Sequence, residues 1–231
     1  MAEVIKINDN TWKIEDGMVR FFLFCGTKKA ALIDSGMTVS NTKEIAEGLT
    51  DLPIIMVNTH ADPDHISGNA SFDEVYMSPT EEGNYKDNNG ACKIISIREG
   101  DVIDLGDRTL KVIDIPGHTP GSVAFLDEKY RVLVSGDSVQ DGIIFMFGDK
   151  RDLNVYIESM KHLLEFDGQY DDIYAMHGSF PVKGELIGKL IEGAKQIQEG
   201  KASGTEVEVF GKKILKYDFG YAGFLGELKE V

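Results

Sequence analysis

Four of the five histidines in this sequence stand beside aspartates, glycines or prolines. His60 opens the run T-H-A-D-P-D-H-I-S-G, which also supplies Asp62, Asp64 and His65. His118 lies in I-P-G-H-T-P-G-S, Asp137 in S-G-D-S and His177 in M-H-G-S. Imidazole and carboxylate together suit zinc, iron or manganese. In an extended segment, residues two apart point the same way, so His60 and Asp62 share one side. Pro63 restricts Asp62 to extended backbone and pre-sets a helix start, which turns Asp64 and His65 elsewhere. Two ligand pairs in two directions suit two metal ions about 3.5–4 Å apart. A lone strand-end histidine is usually a polar group satisfied by backbone. Seven candidates arriving together in turns favour a metal centre over that reading. His162 has no such context and reads as a surface residue on the polar side of a helix.

These residues need strand ends to hold them. Val4–Ile7, Trp12–Glu15, Val19–Cys25 and Lys29–Asp34 are rich in β-branched or aromatic residues and read as short strands joined by tight turns. Thr42–Leu49 follows as a short helix capped by Asn41 or Ser40. Pro53–Asn58 is an apolar strand that ends at His60. Further strands are expected at Glu74–Met77, Lys93–Arg98, Thr109–Ile115, Val123–Leu126, Arg131–Ser135 and Asp172–Met176. Leu153–Phe166 is a helix capped by Asp152, with Leu153, Tyr156, Ile157, Met160 and Leu164 at helical spacing. Glu185–Gln198 is a second, with Leu186, Leu190, Ala194 and Ile197 on one stripe. Val207–Tyr217 closes the chain as a hairpin around Gly211–Lys212. Gly142–Gly148 (GIIFMFG) is apolar and is either a pocket wall or an edge strand.

Ala31–Gly36 (ALIDSG) and Leu133–Ser138 (LVSGDS) each place an aspartate and a glycine at the end of an apolar strand. Two similar halves, dividing near residue 116 within a single domain spanning 1–231, would pack sheet on sheet. The expected fold class is α/β, a four-layer αββα sandwich.

The chain has 231 residues, 42% hydrophobic and 27% charged, the balance of a soluble globular protein. Its net charge of −15 argues against partners held through phosphates, so no nucleic acid is expected. Cys25 and Cys92 form neither a disulfide framework nor a close metal pair, and Cys25 reads as a buried apolar residue. The start, MAEVIKINDN, lacks the features of a signal peptide, and no apolar run approaches the roughly 20 residues needed to cross a bilayer. A cytoplasmic location follows as the expectation. Oligomeric state is left open, a homodimer included.

The run His60–His65, followed in order by His118, Asp137 and His177, resembles the metallo-β-lactamase superfamily and in particular glyoxalase II-like hydrolases. Ala31–Gly36 matches the first motif of that superfamily, so the resemblance covers nearly the whole chain. It implies that His60 and His118 bind a first metal, that Asp64, His65 and His177 bind a second, and that Asp137 bridges them. Zinc is the first expectation, with iron or manganese as alternatives. Asp34 would hold the metal loops through hydrogen bonds, or is simply a turn aspartate. The commonest family pattern is H-x-H-x-D-H, and here Asp62 replaces the middle histidine. Flavodiiron proteins carry a glutamate and competence-type nuclease domains an aspartate at this place. Asp62 is expected as a first-site ligand, because an unpaired carboxylate beside the cluster is costly to desolvate; the alternative is an aspartate held off the metal by hydrogen bonds, with the first site weak or empty.

The resemblance implies hydrolysis by a metal-bridging hydroxide, with Asp64 orienting it or taking its proton. A small ester, thioester or lactone is the expected substrate. A flavodiiron-like di-iron redox domain, a phosphodiesterase and a non-catalytic metal-binding module are the alternatives.

Overall fold

A computed structural model describes residues 2–228. Seven strands form the first sheet in sequential order: β1 (Glu3–Asn8), β2 (Thr11–Asp16), β3 (Val19–Cys25), β4 (Ala30–Ile33), β5 (Ile54–Val57), β6 (Glu74–Met77) and β7 (Lys93–Ser96). The hairpins β1–β2–β3–β4 are antiparallel, and β4–β5–β6–β7 run parallel through crossovers. The crossovers carry α1 (Thr42–Glu47), the single turn α2 (Pro63–Ile66) and α3 (Glu82–Asp87). The second sheet is ordered β13-β11-β10-β9-β8 and is built from β8 (Val102–Asp104), β9 (Thr109–Asp114), β10 (Val123–Asp127), β11 (Val132–Gly136) and β13 (Asp172–Ala175). Against it lie α4 (Leu153–Leu163) and α5 (Glu185–Gln198).

Side-chain alternation sorts three cores between four layers. On β3, Phe21, Leu23 and Cys25 face the α1–α3 side, while Phe22 and Phe24 face the second sheet. On β10, Val123 and Phe125 meet those phenylalanines, while Ala124 and Leu126 pack under α4 and α5. This is the period of two expected of sheets covered on both faces. The four-layer αββα sandwich of the α/β class is therefore present.

Three features depart from expectation. The passage between sheets falls between β7 and β8, upstream of residue 116, because the β8–β9 hairpin pairs with β10. The closing hairpin, β14 (Thr205–Val209) and β15 (Lys212–Asp218), is joined by β16 (Gly223–Glu227), and β12 (Ile143–Met146) pairs parallel to β16. These four strands make a third sheet in the order β12-β16-β15-β14, with β12 at its edge. In α4, Leu163 rather than Leu164 is buried, because the chain tightens into a 3₁₀ turn over Leu164–Phe166 and carries Leu164 outward. Asp152 caps α4 as expected, accepting from the N–H groups of Asn154 and Val155 at 2.8 and 3.0 Å. Among the described residues, no helix is long and apolar enough to cross a membrane.

The two main sheets are tied by a buried charge that the sequence does not advertise. Arg108 is 1% exposed, and its Nε donates to Asp127 at 2.7 Å. Its Nη1 reaches across the seam to the Asn10 carbonyl at 2.7 Å and Thr11 Oγ1 at 3.1 Å, and its guanidinium lies 4.0 Å from the ring centroid of Phe24. Removing one partner of a buried pair strands the other. Arg108→Ala is therefore expected to cost roughly 3–5 kcal/mol of stability. Arg108→Met combined with Asp127→Leu should recover most of that loss, as urea unfolding would show; equal destabilisation of the single and double variants would contradict it.

Candidate metal centre

Every predicted donor arrives at one rim of the sandwich. His60 follows β5, and Asp62 stands in extended backbone immediately before Pro63 opens α2, which carries Asp64 and His65. His118 lies in the β9–β10 turn, Asp137 just after β11 and His177 just after β13. Two glycines let these turns close. A Cβ on Gly117 would stand 2.4 Å from the Tyr156 backbone, and one on Gly136 would stand 2.9 Å from Thr59 Oγ1; both glycines have positive φ.

The donors fall into two groups. His60, Asp62 and His118 form one and Asp64, His65 and His177 the other, with ligand atoms in each lying within 4.8 Å of one another. Asp137 stands between them: Oδ1 is 3.3 Å from His65 Nε2 and 3.4 Å from His177 Nε2, while Oδ2 is 3.7 Å from His118 Nε2. Asp62 Oδ2 lies 3.7 Å from His60 Nε2 and 3.4 Å from His118 Nε2. The structure thus brings together all seven residues. His162 stays apart as expected, half-buried between Glu99 and Glu165.

Each imidazole is oriented through its other nitrogen. His118 Nδ1 donates to the Phe145 carbonyl at 3.0 Å and His177 Nδ1 to the Met18 carbonyl at 2.7 Å. His65 Nδ1 donates to Asp34 at 2.9 Å. His60 Nδ1 lies 3.0 Å from Thr59 Oγ1, whose hydroxyl donates onward to Asp34 at 2.7 Å. These bonds keep a proton on Nδ1 and aim Nε2 at the carboxylates, the orientation in which imidazole can ligate a metal through Nε2. The Nε2 atoms of His60, His65 and His118 are buried with no hydrogen-bond partner. Buried polar atoms without partners are costly, and nitrogen lone pairs converging with carboxylate oxygens fit divalent metal ions.

The electrostatics agree. Burial, reinforced by neighbouring His65, pushes His60 down to about 4, so it is held as neutral imidazole. Burial opposes charge on His177, but Asp137 and Asp64 outweigh it and raise the group to about 10. His65 is raised for the same reason, burial again being overcome by Asp137 and Asp64. Asp137 resists its own burial because His177 and His65 hold it well below the usual carboxylate range. The carboxylates thus demand positive charge, which protons on these histidines meet and a divalent ion would take over.

Asp34, the residue with two open readings, is fully buried at the end of β4 with φ 61°. Besides His65 and the Thr59 hydroxyl, it accepts from the Thr59 N–H at 2.8 Å and Asn58 Nδ2 at 3.1 Å. It holds the His60 loop and orients His65.

Several positioning residues escaped sequence reasoning. Glu81, 0% exposed, accepts from the Ala61 and Gly121 N–H groups at 2.9 and 2.7 Å and so joins the His60 and His118 loops. Arg20 donates to the carbonyls of Ala175, His177, Ser179 and Gly178, at 2.6 Å to the last, and so fastens the His177 turn. Arg151 pairs with Asp62 Oδ2, and Asn84 donates to Oδ1 at 3.1 Å. Glu81 and Arg151 sit in the polar runs P-T-E-E-G and D-K-R-D, where nothing separates them from surface charges.

A four-layer α/β sandwich with histidine and aspartate donors gathered at its strand ends defines a class of metal-binding α/β proteins. The family model described as metallo-beta-lactamase superfamily matches residues 14–178, and the chain belongs to that superfamily. Divalent metals are the cofactors of that superfamily. The chain is 27% identical over 182 residues to the acyl-coenzyme A thioesterase MBLAC2 of Gallus gallus, a match covering 62% of this chain and 66% of that protein. It is 26% identical over 159 residues to a hydroxyacylglutathione hydrolase of Francisella tularensis, covering 68% of this chain and 62% of the relative. The match thus spans less than two thirds of each relative's own length. Among solved structures, a metallo-beta-lactamase from Pontibacter korlensis superposes with a TM-score of 0.72 at 17% identity, covering 84% of this chain and 99% of that one. That likeness bears on the fold.

Asp34→Ala removes the acceptor of four donors at once. It is expected to weaken divalent metal binding about 10–100-fold, the usual effect of losing a carboxylate behind a ligating histidine. Asp34→Asn, which tolerates the same backbone, should lose less. Titration against a chromogenic chelator measures both, and unchanged affinity in the alanine variant would remove Asp34 from this role.

Proposed function

We propose that this chain is a metal-dependent hydrolase of a small ester, thioester or lactone, with a thioester as first choice. The observation that carries the reading is the convergence of histidine Nε2 atoms, three of them buried and unpartnered, on Asp62, Asp64 and Asp137. A thioesterase and an acylglutathione hydrolase among the relatives favour an acyl–sulfur bond.

In this reading His60, Asp62 and His118 would hold one divalent ion and Asp64, His65 and His177 another, with Asp137 shared between the two groups. When bound, such a pair supplies Lewis acidity and lowers the pKa of water from 15.7 to roughly 7. Zinc is preferred, and the aspartate at position 62 keeps iron or manganese open. Asp64 would orient the attacking water and accept its proton. Its carboxylate lies 3.2 Å from His177 Nε2 and is held ionised against its burial by His65 and His177. Asp62, held by Arg151 and Asn84, presents Oδ2 towards His60 and His118, the orientation a ligand needs.

Elemental analysis of protein purified without added metal, followed by a panel of esters, thioesters, lactones and phosphodiesters, tests the reading. The expected result is two metal equivalents with thioester or ester hydrolysis. Iron with oxygen consumption and no hydrolysis would replace it with the di-iron redox reading. Phosphodiester hydrolysis alone would replace it with a phosphodiesterase, and no tightly bound metal with a non-catalytic module.

His118→Ala and His177→Ala should each lower metal content and reduce kcat/KM by at least about a hundredfold while leaving the circular dichroism unchanged. Asp137→Ala should be worse than either, since one residue then leaves both ions. Loss of a single equivalent, with the other affinity unchanged, would refute its bridging role. Asp62→His should shift the metal preference towards zinc in competitive loading with manganese. An unchanged preference would place Asp62 off the metal.

A further inference from the structure

The third sheet carries an aromatic surface that the metal centre does not use. Val209 and Lys212 are paired across the tip of the β14–β15 hairpin, leaving Phe210 and Gly211 as a two-residue turn with φ of 50° and 74°. Such turns need left-handed backbone at both positions, and asparagine followed by glycine is the usual choice. A phenylalanine there costs backbone strain that asparagine avoids. Its ring gains little in return, since Phe210 is 86% exposed.

The ring is not aimed away from the protein. It lies 6.3 Å from the Phe145 ring, which in turn lies 5.6 Å from Phe147. Ile144 and Met146 of β12 point into the core under α4 and α5, so Phe145 takes the opposite face of the sheet. There it is joined by its register partner Leu225 and by Ile143, which is 38% exposed. The backbone carbonyl of the same Phe145 receives the Nδ1 proton of His118. An apolar strip thus starts at the residue whose carbonyl steadies His118 and continues to the hairpin tip.

We propose that Phe145, Phe147 and Phe210 form the wall that receives the hydrocarbon arm of an acyl substrate, and that Phe210 sets its preferred length. The inference rests on the ester or thioester reading above and adds that the acyl group is a medium-length aliphatic chain. In an acidic protein, a neutral strip beside the metal centre favours an uncharged alkyl chain over a charged acyl group.

The test compares zinc-loaded wild type with Phe210→Asn and Phe210→Ala on p-nitrophenyl acetate and p-nitrophenyl octanoate. Truncation should lower kcat/KM for the octanoate about tenfold, the effect of uncovering a few methylenes, and leave the acetate unchanged. Phe210→Asn should also raise the melting temperature by about 2–4 °C, because the turn relaxes. Equal losses on both esters would overturn the proposal, as would a lower melting temperature with unaltered chain-length preference, since the ring would then be a structural contact. Loss of co-sedimentation with phosphatidylcholine vesicles, with the ester ratio unchanged, would make Phe210 a membrane contact instead. Calorimetry with octanoate as the ligand separates this inference from the hydrolase reading. If wild type turns over neither ester yet binds octanoate, and Phe210→Asn does not, the acyl wall stands and the hydrolase reading falls.

Discussion

The carboxylate of Asp34 is the interaction on which the rim of this molecule depends. Fully buried at the end of β4, it collects the Thr59 amide and hydroxyl, the Asn58 side chain and the His65 ring. Without it the Thr59 amide and the His65 Nδ1 proton would be buried with no acceptor, at a cost of roughly 1–3 kcal/mol apiece. The same bonds set the direction of two imidazoles, His65 directly and His60 through the Thr59 hydroxyl. Aspartate is one of the few side chains that accepts the left-handed backbone this corner requires. Stability and orientation are therefore the same four bonds seen from two sides.

The other loops are secured by the same device. Glu81 binds two amides from separate loops, Arg20 gathers the carbonyls around His177, and Arg108 joins β10 to the β1–β2 turn. In each case a buried charge is satisfied by backbone groups of a distant segment. Irregular loops carry unpaired amides and carbonyls by nature. A charged side chain with several hydrogen-bonding atoms fixes such a loop in one geometry where apolar packing would leave a choice. The requirement is strict, because a partly satisfied buried charge is worse than none.

That device also explains what the sequence conceals. The metal-centre donors were legible because histidine and aspartate beside glycine at strand ends are uncommon in combination. The helices α4 and α5 were legible from their periodicity, and β3 from its aromatic-rich sequence. Arg20, Glu81, Arg108 and Arg151 look like surface charges, since the groups that bury them lie far along the chain: Gly178 for Arg20, Asn10 for Arg108, Asp62 for Arg151. α3 was missed because Glu82–Asp87 (EGNYKD) has a glycine and no apolar stripe. β16, with glycines at both ends of Gly223–Gly226, was missed because its strand character comes from pairing with β12, some eighty residues earlier. Of the two readings of Gly142–Gly148, the edge strand is the one present: β12 is the edge of its sheet, and its Phe145 carbonyl steadies His118.

The donors come from both sides of the seam: His60, Asp62, Asp64 and His65 from the first sheet's crossover, His118, Asp137 and His177 from the second sheet's loops. A cation gripped by both would be a clasp on the open edge of a book whose spine is the Phe22, Phe24 and Phe125 core. Binding and folding then share one equilibrium, and occupancy stabilises the closed book in proportion to the logarithm of free metal. The converse also holds: any change that eases the covers apart, however far from the rim, is felt as a weaker grip on the ion. Metal affinity at these donors would in that sense gauge how firmly the two sheets are shut.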